Sequence, residues 1–237
     1  MLKSFLLPLF GWSSIALNLN DEDSVCPDYT VSGPIKIWED HTVIENMVIY
    51  ADPADLTRQN DQAVRIVAEH VTLRNVVIYH AANAMGIYGY NSHNLTLENV
   101  KIVSYGNPWG ANPCPKRKPF LGQDCSNIKI LGGNNTRMDR VHVENGSRGI
   151  SCSRCPDSHF TNIVAKNARG PYPGGSALQF TYSHNSTVEG FSILAELDIA
   201  WQEDSFSIYR SSNVTVRDGV IVGNNAPTGM CLMFEGS

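Results

Sequence analysis

The stretch Asn94-Leu95-Thr96-Leu97-Glu98-Asn99-Val100 carries a pattern that recurs along most of this 237-residue chain. A small polar residue is followed three residues later by a large apolar one, then by two polar residues or a glycine and usually another apolar residue. Seven segments share this pattern, and they begin at His41, His70, Asn94, Asn135, Asp157, Asn185 and Asn213. Their starts lie 22 to 41 residues apart. A short β-rich unit repeated at such intervals is typical of a solenoid, in which each repeat buries its apolar face on its neighbours.

The repeat is built from β-strands. Inside it, two short runs alternate apolar and polar residues, as in 206–209 and 214–216, and Val, Ile, Thr and aromatic residues dominate them. No repeat contains ten residues of helical periodicity, so helical and leucine-rich solenoids are disfavoured. The pattern therefore predicts coils that stack into parallel sheets.

The residue that starts each pattern should lie at a bend between two strands. Asn and Asp suit this place because they tolerate left-handed backbone, and stacked amides can form a ladder of hydrogen bonds. With its serine neighbours in 183–185 and 211–213, this column resembles the asparagine-ladder turn of the pectate-lyase-like superfamily. Over residues 36–237, the resemblance implies an all-β fold, a right-handed parallel β-helix with about seven visible rungs.

The two ends of the chain differ from the repeats. Lys3 precedes an apolar stretch, and small residues at 14–16 fit a cleavage site, so residues 1–16 are expected to be a signal peptide of a secreted, extracellular protein. Residues 17–35 would form a lead-in or cap. At the other end, residues 229–237 repeat the first strand of a coil with no bend after it. We therefore expect the helix to be incomplete at its C-terminus, and the protein to be a monomer if further rungs follow.

Composition limits the range of partners. The chain has 42% hydrophobic and only 17% charged residues, enough to bury a long core. Its net charge of −5 gives no reason to expect nucleic acid as a partner. The apolar stretch at the N-terminus is too short for a transmembrane segment.

Six cysteines fit an oxidising compartment. Cys114 and Cys125 bracket an insertion and are expected to form a disulfide. Cys152 and Cys155 lie on a β-repeat, so a structural role, as buried thiols or a local bridge, is favoured over redox or metal chemistry. Among several Asn-x-Ser/Thr sequences, Asn145 is the predicted glycosylation site because it lies outside the ladder column.

Function on a β-helix is expected on an exposed strand face and in the loops beside it. The clearest cluster is Trp201-Gln202-Glu203-Asp204, where two adjacent acids precede a strand. Paired carboxylates are the equipment for general acid and base catalysis at a glycosidic bond. The cluster is similar to the Gln-Asp-Asp motif of polygalacturonases, which implies catalytic roles for Glu203 and Asp204. In that comparison, 174–176 and 229–231 depart from the family motifs.

A lyase or uronate C5-epimerase would need other groups. It must neutralise a carboxylate and supply a base, and Arg148 and Tyr209 are candidates for these catalytic roles, with Ca²⁺ at Glu203 and Asp204 as one means of neutralisation. No other cofactor is implied.

The expected substrate site is a cleft over outward residues of neighbouring rungs, Gln179, Thr181, Ser207, Tyr209, Met233 and Glu235. Aromatic faces and cations suit a sugar polymer with carboxylates or sulfates. The candidate binding residues are Lys116, Arg117, Lys118, Trp201, Arg210 and Tyr182. The chain is thus expected to act on an extracellular, acidic polysaccharide as a lyase, epimerase or hydrolase. The alternative is a non-catalytic carbohydrate-binding or cell-surface β-helix.

Overall fold

The protein was studied as a computed structural model, which describes residues 28–51, 62–81, 84–105, 126–170, 175–196, 199–200, 202–224 and 229–236. In these ranges the chain forms sixteen β-strands and no helix. The odd-numbered strands are β1 Thr30–Ser32, β3 Val43–Ala51, β5 Thr72–Ala81, β7 Thr96–Tyr105, β9 Arg137–Glu144, β11 His159–Lys166, β13 Thr187–Leu194 and β15 Thr215–Val222. The even-numbered strands are β2 Ile35–Ile37, β4 Gln62–Ile66, β6 Met85–Tyr90, β8 Ile128–Leu131, β10 Ile150–Ser153, β12 Leu178–Thr181, β14 Phe206–Tyr209 and β16 Leu232–Glu235.

These strands confirm the predicted parallel β-helix. The odd-numbered strands form one eight-stranded sheet, the first sheet, and the even-numbered strands form another, the second sheet. Every neighbouring pair is parallel, and the chain alternates between the sheets, so eight coils stack along the axis. The described part therefore has one coil more than the seven expected, because β1 lacks the repeat pattern. The first strand already begins at Thr30, inside the segment expected to be a lead-in.

The predicted corner column is confirmed. All seven residues that start the repeats have positive φ angles, between 53° and 60°. The amide of Asn213 donates to Asn185 at 3.0 Å, and the amide of Asn135 donates to Asn94 at 2.7 Å. Toward the N-terminus the ladder changes character, since the rings of His41 and His70 stack with centroids 4.6 Å apart. Side-chain hydrogen bonds and ring stacking thus hold successive coils together at this corner.

A second column, not predicted, bends the strands of the first sheet. It contains the sixth residue of each repeat, where φ is again positive and the strand register skips one residue. Its members include Asn46, Asn75 and Asn99, joined by amide hydrogen bonds of 3.0 and 2.9 Å. Because each odd strand from β3 to β15 turns at this residue, these coils have three straight sides rather than two.

Inward side chains fill the space between the sheets in register. In the fourth position of the repeat, for example, Leu73, Leu97, Met138 and Phe160 stack on successive strands and are at most 1% exposed. Cys152 and Cys155 form a disulfide beside this core. Of the two structural roles expected for them, buried thiols or a local bridge, the bridge is confirmed. Burial of these apolar columns is the main stabilising term of the fold.

Candidate functional site

A groove of about 460 Å³ lies on the outer face of the second sheet near its C-terminal coils. Strands β10, β12, β14 and β16 alternate inward apolar residues with outward ones, so outward side chains stack in columns across the coils. The groove is lined by Arg148, Gly175, Ser176, Gln179, Glu203, Asp204, Ser207, Tyr209, Met230, Met233 and Glu235. The structure therefore brings together the four candidate catalytic residues and five of the six outward residues expected, all but Thr181.

Asp204 lies at the edge of the groove and is only 5% exposed. Its Oδ1 accepts the backbone N–H of Met230 at 3.1 Å, and its Oδ2 accepts the hydroxyl of Ser207 at 2.9 Å. Met230 lies on the next coil, so the carboxylate ties two coils together. Both oxygens of Asp204 therefore have a structural task.

A chain of hydrogen bonds starts at Asp204. Ser207 has a single hydroxyl proton, which it donates to the carboxylate, so the contact of 3.0 Å between the Ser207 and Ser176 hydroxyls has Ser176 as donor. Ser176 and Ser207 are 4% and 1% exposed. The floor of the groove therefore has a fixed donor direction, from Ser176 through Ser207 to Asp204.

Glu203 differs from its neighbour. It is half-buried, and its carboxylate has no hydrogen bond or ion pair with another described residue. Its backbone carbonyl accepts a hydrogen bond from the Asn224 side chain at 3.1 Å, and the same amide group approaches the carbonyl of Met230 at 3.2 Å. Asn224 thus positions the backbone of Glu203 while the carboxylate is left for a ligand. The sequence analysis did not identify Asn224, since its partners lie 6 to 21 residues away.

Arg148 reaches the groove from the corner before β10. One of its guanidinium nitrogens, Nη1, donates to the Gln179 side chain at 3.3 Å, and Ser151 lies 3.5 Å from the same oxygen. Gln179 is an outward residue of β12, so the contact fixes the guanidinium over the strand face. Arg148 thus adds a cation to a groove lining that also contains acids.

Tyr209 links the groove to two further predicted binding residues. The guanidinium carbon of Arg210 lies 4.9 Å from the ring centroid of Tyr209 and 5.7 Å from that of Tyr182. Arg210 also donates to the Tyr182 hydroxyl at 2.5 Å. Tyr182 is 39% exposed. Two aromatic rings and a cation are therefore clustered at the end of β14, beside the groove.

Several predictions fall on residues outside the described ranges. These are the signal peptide 1–16, the basic residues Lys116, Arg117 and Lys118, Trp201, and the expected disulfide between Cys114 and Cys125. Asn145, the predicted glycosylation site, is half-buried at the corner after β9 and stays a prediction.

The described residues do not supply an evident cation site. Within these ranges no three His, Cys, Asp or Glu side chains come close enough to hold a metal ion. Calcium takes six to eight oxygen ligands, whereas here Glu203 and Asp204 contribute two carboxylates and both oxygens of Asp204 already accept hydrogen bonds. Glu203 and Asp204 therefore do not by themselves make a Ca²⁺ site, and no catalytic step is assigned to this ion. Among the same residues, no helix has the length and apolar character needed to cross a membrane.

The architecture defines the chain as a parallel β-helix protein. No protein-family model and no curated protein matches the sequence. Among solved structures, the A-module of a mannuronan C-5 epimerase from Azotobacter vinelandii is similar, with a TM-score of 0.52 and 13% identity over 82% of this chain and 55% of that one. A GH136 lacto-N-biosidase from Eubacterium ramulus has a TM-score of 0.38 and 12% identity over 86% of this chain and 52% of that one. The chain thus spans about half the length of these structures, and its likeness to the epimerase module is one of fold.

Proposed function

We propose that this chain belongs to a secreted, polysaccharide-active β-helix protein that binds a sugar chain in the groove of the second sheet. The observation that carries the proposal is that one groove combines the Glu203 carboxylate, which has no partner among the described residues, with the aromatic and cationic groups of Tyr209 and Arg148. A volume of about 460 Å³ is in the range of small-ligand sites and has room for part of a polymer. The fold shared with an epimerase module supports the proposal by analogy. The disulfide between Cys152 and Cys155 supports export to an oxidising compartment.

Each group in the groove has a distinct role in this proposal. Glu203 is the acid or base, because its carboxylate is open to the groove and to a ligand. Asp204 holds the turn and the two serines in place, so it acts as a positioning residue. Tyr209, with Tyr182 and Arg210 beyond it, offers faces against which sugar rings pack, and Arg148 donates hydrogen bonds to sugar oxygens.

The charge of the groove bears on the substrate. Glu203, Asp204 and Glu235 contribute three carboxylates, against two guanidinium groups, that of Arg148 in the groove and that of Arg210 beside it. A negatively charged polymer would meet net repulsion from these residues, whereas a neutral or amino-bearing sugar would not. Lys116, Arg117 and Lys118, which the sequence predicts as binding residues for an acidic polymer, lie outside the described ranges. We therefore propose a neutral or amino-bearing polysaccharide as the preferred ligand of the described groove.

The test combines a binding panel with an activity assay. Secreted protein is incubated with neutral, amino-bearing and uronate polymers, and reducing ends, unsaturated products and solvent-proton exchange are measured. These readouts separate hydrolysis, elimination and epimerisation. Glu203→Gln should reduce turnover at least 100-fold, the usual range for loss of an acid or base, without changing thermal stability. Glu39→Gln, an exposed acid outside the groove, is the matched control. Full turnover in Glu203→Gln would refute the role of Glu203.

A non-catalytic binding module is the second candidate. The hydrogen bonds of Asp204 favour it, because both oxygens of this carboxylate already accept hydrogen bonds, which leaves Asp204 less suited to act as a second catalytic acid or base. Retention on a neutral or amino-bearing polymer without any of the three products would support this candidate. Absence of both retention and turnover would refute the groove as a sugar site.

A further inference from the structure

Four polar residues meet inside the corner that leads from the first sheet to the second. They come from four different places in the chain: His80 at the end of β5, Ser104 in β7, Asn127 just before β8, and Arg169 after β11. Their exposures are 0%, 2%, 1% and 7%. Such a group, enclosed in a β-helix, requires internal partners for every donor and acceptor.

Arg169 does not have these partners among the described residues. Its Nη2 donates to the Ser104 hydroxyl at 3.2 Å, but Nε and Nη1 are buried without a hydrogen-bond acceptor. No carboxylate in the described ranges forms an ion pair with it. Burial lowers the pKa of Arg169 to about 10, so the guanidinium is still charged at neutral pH. A buried, uncompensated charge is strongly unfavourable and is normally paired.

Around Arg169, the described polar side chains offer more hydrogen-bond donors than acceptors. Ser104 accepts from Arg169, so its own hydroxyl proton is available to a further acceptor. A neutral His80 has one N–H, which it donates either to the Asn127 oxygen, 2.8 Å from Nε2, or to the Ala81 carbonyl, 3.0 Å from Nδ1. Within the described ranges, Nε and Nη1 of Arg169 lack an acceptor, and no acceptor is found for the Ser104 hydroxyl proton. The partner they require accepts hydrogen bonds and carries negative charge.

We propose that Arg169 and Ser104 form an internal binding site for a small inorganic anion such as chloride. The site is enclosed, so a polymer or a large organic acid would not fit at these atoms. By neutralising Arg169, the anion stabilises the corner that joins β7, β9 and β11. The backbone of this corner bonds Arg169 and Gly170 to Gly146 and Ser147, next to Arg148 of the groove. The site is separate from the sugar groove and independent of the proposed activity.

The experiment measures thermal unfolding in chloride or bromide, with ionic strength held constant by sodium gluconate. The expected result is a melting temperature that rises by about 3–6 °C for each tenfold increase in halide above the dissociation constant. Ser104→Ala should weaken the halide dependence, and Arg169→Met should abolish it. In gluconate, Arg169→Met should be at least as stable as the wild type, because it removes an unpaired charge. Arg140→Gln, an exposed arginine with acidic neighbours, is the control and should keep the halide response.

Chloride-35 NMR gives a direct readout on the folded protein and does not depend on any variant. Line broadening that saturates and is reversed by bromide would support the site. A melting temperature independent of halide, with no broadening, would overturn the proposal in favour of water at the guanidinium. A strong loss of stability in Arg169→Met in both buffers, without halide dependence, would overturn it in favour of a carboxylate of the chain itself.

Discussion

Substitution of Asp204 separates a positioning role from a catalytic one. In Asp204→Asn, the amide oxygen can keep the Met230 N–H, while the amide nitrogen faces Ser207 and donates to it. Ser207 can then turn its proton toward Ser176, 3.0 Å away, so the chain of hydrogen bonds reverses without a gap. Only the charge-assisted part of the interaction is lost. We expect a cost of about 1 kcal/mol, or a fall in melting temperature of roughly 2–4 °C.

In Asp204→Ala, Ser207 can still turn its proton toward Ser176, but no group at position 204 donates to Ser207 or accepts the Met230 N–H. The substitution removes the acceptor of Ser207, which is 1% exposed, and that of the Met230 N–H. Met230 itself is 56% exposed, so water replaces part of the second bond. The expected cost is about 2–4 kcal/mol, or a fall of roughly 4–16 °C.

Circular dichroism melts and the product assay on the same samples check both substitutions. Asp204→Asn is expected to retain turnover within about tenfold of the wild type, because Glu203 is the proposed acid or base. Equal melting temperatures for the Asn and Ala variants would refute the hydrogen bonds expected from the amide at position 204 to Ser207 and Met230. Loss of all turnover in a stable Asp204→Asn protein would show that Asp204 itself transfers the proton.

Three further predictions concern the fold. Asn99→Ala loses the side-chain hydrogen bond to Asn75 and places alanine at a φ of 51°. This should lower the free energy of unfolding measured in urea by about 2 kcal/mol. Asn99→Gly should cost about half as much, because glycine tolerates this backbone conformation. In Gly149→Ala the new Cβ would lie 2.2 Å from the Ala177 carbonyl oxygen, so expression or melting temperature should fall sharply. Gly33→Ala is the control: its new Cβ would have no atom within 4 Å, so neither quantity should change. Burial lowers the pKa of His80, so below about pH 6.5 the unfolded chain takes up a proton that the folded chain does not. The stabilisation by neutral His80 is therefore complete above that pH and is lost as the pH falls, by up to about 1.4 kcal/mol per pH unit. Urea titrations between pH 7.5 and 5.5 should show that the free energy of unfolding depends less on pH in His80→Gln than in the wild type. The same pH dependence in both proteins would refute this assignment.

Much of the fold could be predicted because its determinants are local. The pattern around Asn94 contains both the corner residue and the first inward residues of the strand, so one repeat predicts its own bend and its buried face. The bend at Asn46, Asn75 and Asn99 was not predicted, although the same residue recurs there. A single residue with left-handed backbone inside a long strand does not interrupt the visible alternation of apolar and polar residues. The first coil was missed because β1 spans only three residues and lacks the pattern.

The site was less predictable because its contacts join distant parts of the chain. Alternation in 206–209 was enough to place Ser207 and Tyr209 on the outer face. The roles of Asn224 and Arg169 depend instead on partners 21 and 65 residues away, and on which corners stack on each other. The hydrogen bonds of Asp204 likewise required the register of β14 and β16, since Met230 belongs to the next coil.

The two kinds of corner explain why the groove lies where it does. From the second sheet back to the first, five residues separate the strands in every coil, as between Ile66 and Thr72, and the Asn and Ser ladders stack along this corner. An insertion there would break hydrogen bonds to both neighbouring coils. At the opposite corner, the connections between strands range from two residues, between Ser32 and Ile35, to twenty-two, between Tyr105 and Ile128. Arg148, Gly175, Glu203 and Asp204 all come from this variable corner, which therefore supplies lining residues of the groove, while the ladder corner keeps the coils in register.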